Sequence, residues 1–394
     1  MTSRTGWLTP FQVMEVLERA DELARNGTEV IHLEVGEPDF PTPKAVVEAG
    51  MEALRRGRTK YTPSVGHAPL REAIAAFYQR EYGVEVSPEQ VVVTAGTSPA
   101  LLLSLAALLE PGDEVLLPNP HYACYPNFLR FLGAVPRFFP LEAREGYLYD
   151  PQRIASQMGP RTKAVLVNSP ANPTGAVLPP ENLAALAELG LFLISDEIYH
   201  GLTYGVRSPT VLEFTDRAFV LNGFSKRYAM TGWRLGWVIA PREFLRPLRI
   251  MAQNFFISPA DFVQWAGLAA LQQGEPEVAR MVAEYDRRRR FLLGRLREIG
   301  FGVEYEPQGA FYILADARRW SRDSLSLAHR LLEEAHVGVT PGVDFGSRAE
   351  GFLRFSYANS LENIAEGLRR IEAWLQRQSL LPEPPSCGAG CSSS

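Results

Sequence analysis

Cysteine is almost missing from this chain of 394 residues; the three present are Cys124, Cys387 and Cys391. Three thiols cannot build a disulfide framework, and two of them lie in the C-terminal tail. A reducing compartment without structural bridges is therefore expected. Cys387 and Cys391 have no further Cys or His beside them, so no zinc-ligand spacing exists there and no metal is expected. Long apolar runs are also missing. Leu101 to Leu109, interrupted by one serine, is the longest and is too short to cross a bilayer. The opening stretch MTSRTGWLTPFQ holds no apolar run of signal-peptide length, and a cytoplasmic protein is expected. Positive charge is not in excess: 40 Lys and Arg minus 45 Asp and Glu leaves −5. That gives no electrostatic case for nucleic acid or an anionic membrane surface. The basic run Arg287 to Arg290 falls inside a helical pattern, Glu277 to Ile299, and reads as a solvated helix face. No Gly-x-Gly-x-x-Gly follows the first strand patterns, which argues against an NAD-dependent dehydrogenase.

The apolar share of 46% is that of a chain with a full core, and the length suffices for two domains. Phe11 to Asn26 carries a helical stripe of Val13, Leu17, Ala20 and Ala24, with Gly27 placed as its C-terminal cap. A short strand pattern, Val30 to Leu33, leads into the turn-rich stretch Val35 to Pro41. Helical patterns follow at Lys44 to Arg56 and Pro69 to Tyr82, with an irregular loop, Lys60 to Gly66, between them. From Gln90 onward, apolar runs alternate with helical stretches. The runs are Val91–Val93, Glu114–Leu117, Val135–Phe139, Ala164–Val167, Leu191–Ile194, Ala218–Leu221 and Leu235–Ile239. They are nearly continuous rather than alternating, as suits strands buried on both faces. The fold class expected is α/β, with a mostly parallel seven-stranded sheet covered by helices. Past the long helix, Val303–Glu306, Phe311–Leu314, Val337–Thr340 and Phe352–Phe355 read as shorter strands. Leu325–Glu334 and Leu361–Arg377 read as helices. These predict a smaller α+β domain that also takes in the N-terminal segment. The expected divisions are an arm at 1–43, a large domain at 44–282, a small domain at 283–378 and a disordered Pro/Ser/Gly-rich tail at 379–394. No internal repeat is present.

Ligands of such a sheet belong at the carboxyl ends of its strands. Past the first run lie Gly96, Thr97 and Ser98 at a helix start, suited to a phosphate or, more commonly on such evidence alone, to a plain N-cap. Past the second lies Tyr122, a ring stacker or a packing residue. Past the fourth, the Pro- and Gly-rich turn Asn168 to Gly175 aims Asn172 as a neutral donor or is an ordinary turn. Past the fifth lies Asp196, whose burial requires a partner such as a protonated ring nitrogen, or which caps a following helix. Past the sixth lies Lys226, an imine-forming amine or a surface lysine, with Arg234 eight residues on to hold a phosphate and depress the amine's pKa. Arg354, within Phe352-Leu353-Arg354-Phe355, either clamps a substrate carboxylate or makes an internal salt bridge. None decides alone. Together they supply what pyridoxal phosphate acting on an amino acid requires.

Four stretches carry a family resemblance: GEPDF from Gly36, NSPANPTG from Asn168, SDEIY from Ser195 and SKRYAMTGWRLGW from Ser225. Over Pro10 to Gln376 the chain resembles the class I aminotransferases of the aspartate aminotransferase fold. The resemblance implies pyridoxal 5'-phosphate as cofactor, with an amino acid and a 2-oxo acid as substrates. Lys226 would then bond the cofactor and shuttle the proton at the substrate α-carbon. Asp196 would pair with the ring nitrogen, Asn172 and Tyr199 with the phenolic oxygen, and Tyr122 would stack on the ring. Gly96, Thr97, Ser98 and Arg234 would cradle the phosphate. Tyr61 would reach the phosphate of a neighbouring subunit, implying a homodimer with shared sites. Gly36 and Arg354 would hold the substrate carboxylate, and Phe311 would wall the pocket.

Two positions depart from the family pattern. Gly223 stands where many members place a hydroxyl on the phosphate. Ser98 stands where some aspartate-using members place a lysine, so the expected amino donor is neutral or aromatic. A carbon–sulfur β-lyase would share every one of these residues. A cofactor-binding regulator would carry a DNA-binding module ahead of the domain, and only about ten residues precede the first helix here.

Overall fold

A computed structural model describes residues 6–378. Cys387, Cys391 and the tail expected to be disordered lie outside them. The strands are β1 (Ile31–His32), β2 (Val91–Thr94), β3 (Glu114–Asn119), β4 (Val135–Pro140), β5 (Thr162–Asn168), β6 (Phe192–Asp196), β7 (Ala218–Gly223), β8 (Gly236–Ile239), β9 (Tyr312–Asp316), β10 (Val337–Gly338), β11 (Thr340–Pro341) and β12 (Phe352–Ser356). Seven of them form one sheet in the order β2-β8-β7-β6-β5-β3-β4. β8 runs antiparallel to both of its neighbours, and the other pairings are parallel.

Burial of both faces follows from the period of two along each strand. Val91, Val93, Val165, Val167, Leu193, Val220 and Ile239 point to one face. Helices Ala68–Tyr82 and Asp261–Gln273 cover it with Leu70, Ile74, Phe77, Val263 and Ala266. Val92, Ala164, Leu166, Ile194, Phe219, Leu221 and Val238 point to the other face. There they meet Leu101, Leu105 and Leu248 of helices Thr97–Leu108 and Leu245–Phe255. Each such side chain contributes about 1.5–3 kcal/mol by leaving water. The apolar runs carry no face alternation because both faces need the same chemistry.

A three-stranded antiparallel sheet, β11-β12-β9, anchors a second core. It packs Leu292 and Leu296 of the long helix Glu275–Ile299, Leu331 of helix Ser324–Ala335, and Leu368, Ile371 and Trp374 of helix Leu361–Arg377. The N-terminal segment joins this side through the parallel pair β1–β10. Helix Gln12–Arg25 lays Val16 and Ala20 on Leu332. It ends at Gly27, whose positive φ of 88° turns the chain so that Thr28 N–H reaches the Leu23 carbonyl at 3.1 Å. No helix among the described residues is long and apolar enough to cross a membrane.

Three expectations need correction. Val303–Glu306 is not a strand. Only Gly302 bridges to Asp316, after which the chain leaves the sheet edge to pack Tyr305 on Tyr147, ring centroids 5.4 Å apart. Val337–Thr340 divides between two sheets, its first half pairing with β1 and its last residue with β12. The basic run is only half a solvated face. Four successive helical residues sweep the whole circumference, so Arg287 and Arg290 are exposed while Arg288 turns in to Asp39 at 2.9 Å and Arg289 to Asp286 at 2.7 Å.

Candidate active site

The parallel strands finish at one rim, and β8, running the other way, begins there. Asn168, Asp196 and the segments after β2, β3 and β7 therefore meet Arg234, which precedes its strand. Between them lies a cavity of about 350 Å³, within the range of small-ligand sites. Gly36, Thr97, Ser98, Tyr122, Asn172, Asp196, Tyr199, Lys226, Arg234 and Arg354 all line it. Gly96 stands just behind. Its φ is +96°, and a Cβ there would lie 2.6 Å from Arg234 Nη2. Gly223 has a packing reason as well: a Cβ would come within 3.0 Å of the Gly236 backbone on the adjoining strand. Close approach of β7 and β8 thus explains the missing hydroxyl.

Two of the named residues do not line this cavity, Tyr61 having been expected at a neighbouring subunit's site. Tyr61 is 85% exposed on the surface, away from the cavity of its own chain. Phe311 is fully buried behind Tyr199, ring centroids 5.6 Å apart, and Tyr312 faces the cavity in its place. Phe311 lies in the turn that enters β9, and its ring centroid is 5.9 Å from Lys226 Nζ.

Asp196 is 8% exposed. Tyr125 Oη donates to its Oδ2 at 2.7 Å and Ile198 N–H to its Oδ1 at 3.2 Å. Burial raises its pKa to about 6 despite these donors and the Lys226 charge. Its neighbour Glu197 turns to the opposite side of the chain. There it accepts from Ser195, Thr210 and the Val211 N–H, at 2.9–3.1 Å, away from the cavity. Burial also lowers Lys226, to about 8, with Arg354 and Arg234 adding to the shift and Glu37 opposing it. Lys226 Nζ donates to the Gly36 carbonyl.

Arg354 is 2% exposed and, among the described residues, makes no ion pair. Nη1 donates to Asn172 Oδ1 at 2.9 Å, and Nη2 to the Glu34 carbonyl and to Thr340 Oγ1 at 3.0 Å. Its guanidinium lies 4.2 Å from the centroid of Tyr312. The internal salt bridge left open by the sequence is not there. A buried cation with neutral partners, and with Nε unpartnered, is a site awaiting an anion. Its bond to Asn172 also commits that amide's oxygen and leaves the NH₂ end for a ligand.

Helix Thr97–Leu108 has Gly96 at its N-cap and no side-chain cap. Its first N–H groups can receive an anion, and Arg234 stands beside them, held by Nη1 on the Thr231 carbonyl at 2.7 Å. Pyridoxal phosphate fits this set. An uncapped helix start with an arginine suits its phosphate. A buried carboxylate with no cation in hydrogen-bond reach among the described residues suits its ring nitrogen, and a depressed amine suits its carbonyl carbon. No group of three or more His, Cys, Asp or Glu side chains among the described residues is placed to hold a metal ion.

The sequence reading passed over several cavity residues. Tyr125 opens the helix Tyr125–Phe131, three residues after Tyr122, and the two ring centroids are 5.2 Å apart. Phe11, Met14 and Leu17 also recur at one turn and line the cavity. The stripe on that helix divides: Val13 and Leu17 line the cavity, while Ala20 packs in the core with Leu332. Thr340 gave no signal, since its role depends on lying opposite Arg354 in the β11–β12 register.

Comparison with known proteins agrees with the geometry. The pattern of the family "Aminotransferase class I and II" matches residues 28–371. A (5-formylfuran-3-yl)methyl phosphate transaminase of Methanocaldococcus jannaschii is 42% identical, over 93% of this chain and 97% of its own. A valine–pyruvate aminotransferase of Mycobacterium tuberculosis is 39% identical, over 94% and 97%. The solved aspartate aminotransferase of Thermus thermophilus with maleate superposes with a TM-score of 0.91 at 40% identity, covering 95% of this chain and 99% of that one. With the family pattern spanning most of the chain and the cavity fitted to the cofactor, the chain belongs to the class I and II aminotransferases, enzymes that use pyridoxal phosphate.

Proposed function

We propose that this aminotransferase moves the amino group of a neutral or aromatic L-amino acid to a 2-oxo acid in two half-reactions that share one site. The observation that carries the donor class is the wall of the cavity. Phe11, Val13, Met14 and Leu17 form one side of it, and Ser98 adds no charge. Its cations are Lys226, Arg234 and Arg354, and each has a task other than a distal carboxylate. Glu37, also on the wall, repels such a group.

When bound, pyridoxal phosphate supplies an electron sink that makes the substrate α-hydrogen acidic. The helix start at Thr97 and Arg234 would hold the phosphate. Asp196, fixed by Tyr125, accepts the N–H of the ring nitrogen and keeps that nitrogen protonated. Asn172 and Tyr199 donate to the phenolic oxygen, with Tyr312 bonded to Tyr199 at 2.8 Å. Tyr122 stacks on the ring. Arg354 forks onto the substrate α-carboxylate beside Gly36, whose segment excludes water. Lys226 would hold the cofactor covalently, and its Nζ would serve as the base that takes the substrate α-proton. In the second half-reaction the same residues act in reverse on the acceptor acid.

A second subunit supplies Tyr61 to the phosphate in this reading. The exposure of Tyr61, together with Phe255 at 65% and Ile257 at 51%, supports such a contact. A single-turnover screen of the twenty amino acids, following the absorbance of the bound cofactor, tests the donor class. Fast reaction with aspartate or glutamate and none with neutral acids would overturn it. Pyruvate and ammonia released from a cysteine conjugate without an acceptor acid would instead indicate β-lyase chemistry.

A further inference from the structure

The helix Gln12–Arg25 faces the cavity with Met14 and Leu17, and Phe11 just ahead of it packs its ring edge-on to Tyr122, centroids 5.8 Å apart. This helix cannot cap itself. Phe11 occupies the N-cap and offers no side-chain acceptor, and the N–H groups of a first turn lack partners within their own helix. The acceptor comes from the far end of the chain. Asp344 Oδ1 takes the Gln12 N–H at 3.1 Å. An anion at a helix start is favoured by the helix dipole as well. Asp344 Oδ2 is buried and, among the described residues, has no hydrogen-bond partner, so the bonds this carboxylate makes are those of Oδ1 to the helix start.

Asp344 lies in the turn Gly342–Phe345, directly after β11. Val343 N–H pins that turn to Ser324 Oγ at 3.0 Å. β11 pairs Thr340 with Arg354, and the Phe345 ring lies 5.0 Å from the Arg354 guanidinium. One short segment therefore touches the arginine on one side of the cavity and, through Asp344, the helix on the other.

We propose that Asp344 is a positioning residue: it docks the N-terminal helix as the side-chain wall of the substrate pocket, so that selection among amino acids depends on a carboxylate that never touches them. The proposal rests on the reading that this helix meets the donor side chain.

Hydrogen–deuterium exchange of the cofactor-loaded enzyme, without substrate, tests the docking and is independent of which donor is used. Asp344→Ala should raise exchange of peptides covering 12–25 at least tenfold, while Asp344→Asn, which keeps an oxygen acceptor, should raise it by less than threefold. Gln12→Pro removes one donor and leaves Asp344 in place. Proline is tolerated at a first helical position, and Phe11 is already extended, as a residue before proline must be. This variant should fall between the two. Asp344→Ala should also raise KM for donors larger than alanine at least tenfold and change their kcat less than threefold. Unchanged exchange in Asp344→Ala overturns the docking. Raised exchange with unchanged KM overturns the role in selection. A donor screen that favours aspartate while exchange responds as stated overturns the donor class alone.

Discussion

Replacing Asp196 by Asn should make the cofactor-free protein more stable while disabling the enzyme. Burial raises this carboxyl from an ordinary 3.8 to about 6, against the opposing pull of Tyr125, Ile198 and Lys226. The folded value lies above the unfolded one, so the folded protein holds the proton more tightly. The stability this group confers is complete below pH 3.8 and is lost as pH rises through about 6. The shift of roughly 2 units, at 1.36 kcal/mol each, amounts to about 3 kcal/mol at pH 7.5. Asparagine has the same shape and no charge to strip of water. The Tyr125 hydroxyl can turn to accept from its amide, since a phenol is both donor and acceptor. In urea titrations without cofactor, Asp196→Asn should therefore be the more stable protein at pH 7.5, by up to about 3 kcal/mol, with the gain shrinking below about 1 kcal/mol near pH 4. With cofactor the order should narrow or reverse, because the ring cation stabilises only the wild-type carboxylate. Turnover should fall at least about 10²-fold, the scale for losing a preorganised charge. A cofactor-free variant less stable than wild type at pH 7.5, or one that turns over within threefold of it, would refute the reasoning.

Lys226→Ala should retain cofactor but show no half-reaction in stopped-flow absorbance; wild-type rates in that variant would remove Lys226 from the mechanism. The neutral fraction of Lys226 should control covalent loading of the cofactor-free enzyme. Its pKa is lowered to about 8, so the rate of loading should climb with pH and level off above about 8, and a half-rise near 10 would contradict the burial argument. Ser98→Lys should place a cation on the wall and favour aspartate over phenylalanine. A charge-assisted hydrogen bond of about 1.5–3 kcal/mol converts to about 10- to 150-fold in the ratio of their kcat/KM values, and an unchanged ratio would mean that position 98 does not meet the donor side chain.

The large sheet was legible because strands buried on both faces need unbroken apolar runs, and Val91–Val93, Ala164–Val167 and Ala218–Leu221 have little else. The direction of β8 was not, since Leu235 to Ile239 reads the same whichever way it runs. Residues just past strand ends, such as Asp196, Asn172 and Lys226, could be named from chain position because topology alone brings them to one rim. Arg354 stood out as a charge in an apolar run. Tyr125, Thr340 and Asp344 were hidden for a common reason. Each acts through a partner distant in sequence, Asp344 on Gln12 across 332 positions, and no local pattern records such a meeting. Phe311 and Tyr312 are chain neighbours, Phe311 in the turn that enters β9 and Tyr312 opening that strand opposite Ser356, and no local pattern tells which of them lines the cavity.

Because one strand opposes its neighbours, Lys226 and Arg234 share a single return connection, Phe224 to Leu235, tied at both ends by Gly223 meeting Gly236. Adding or deleting one residue there would displace the covalent anchor and the anion grip together, with no second connection to compensate. The opposite rim of the sheet, where Asp216 precedes β7 and Arg242 follows β8, bears no such duty. Fusions, permuted termini and grafted loops belong on that quiet side.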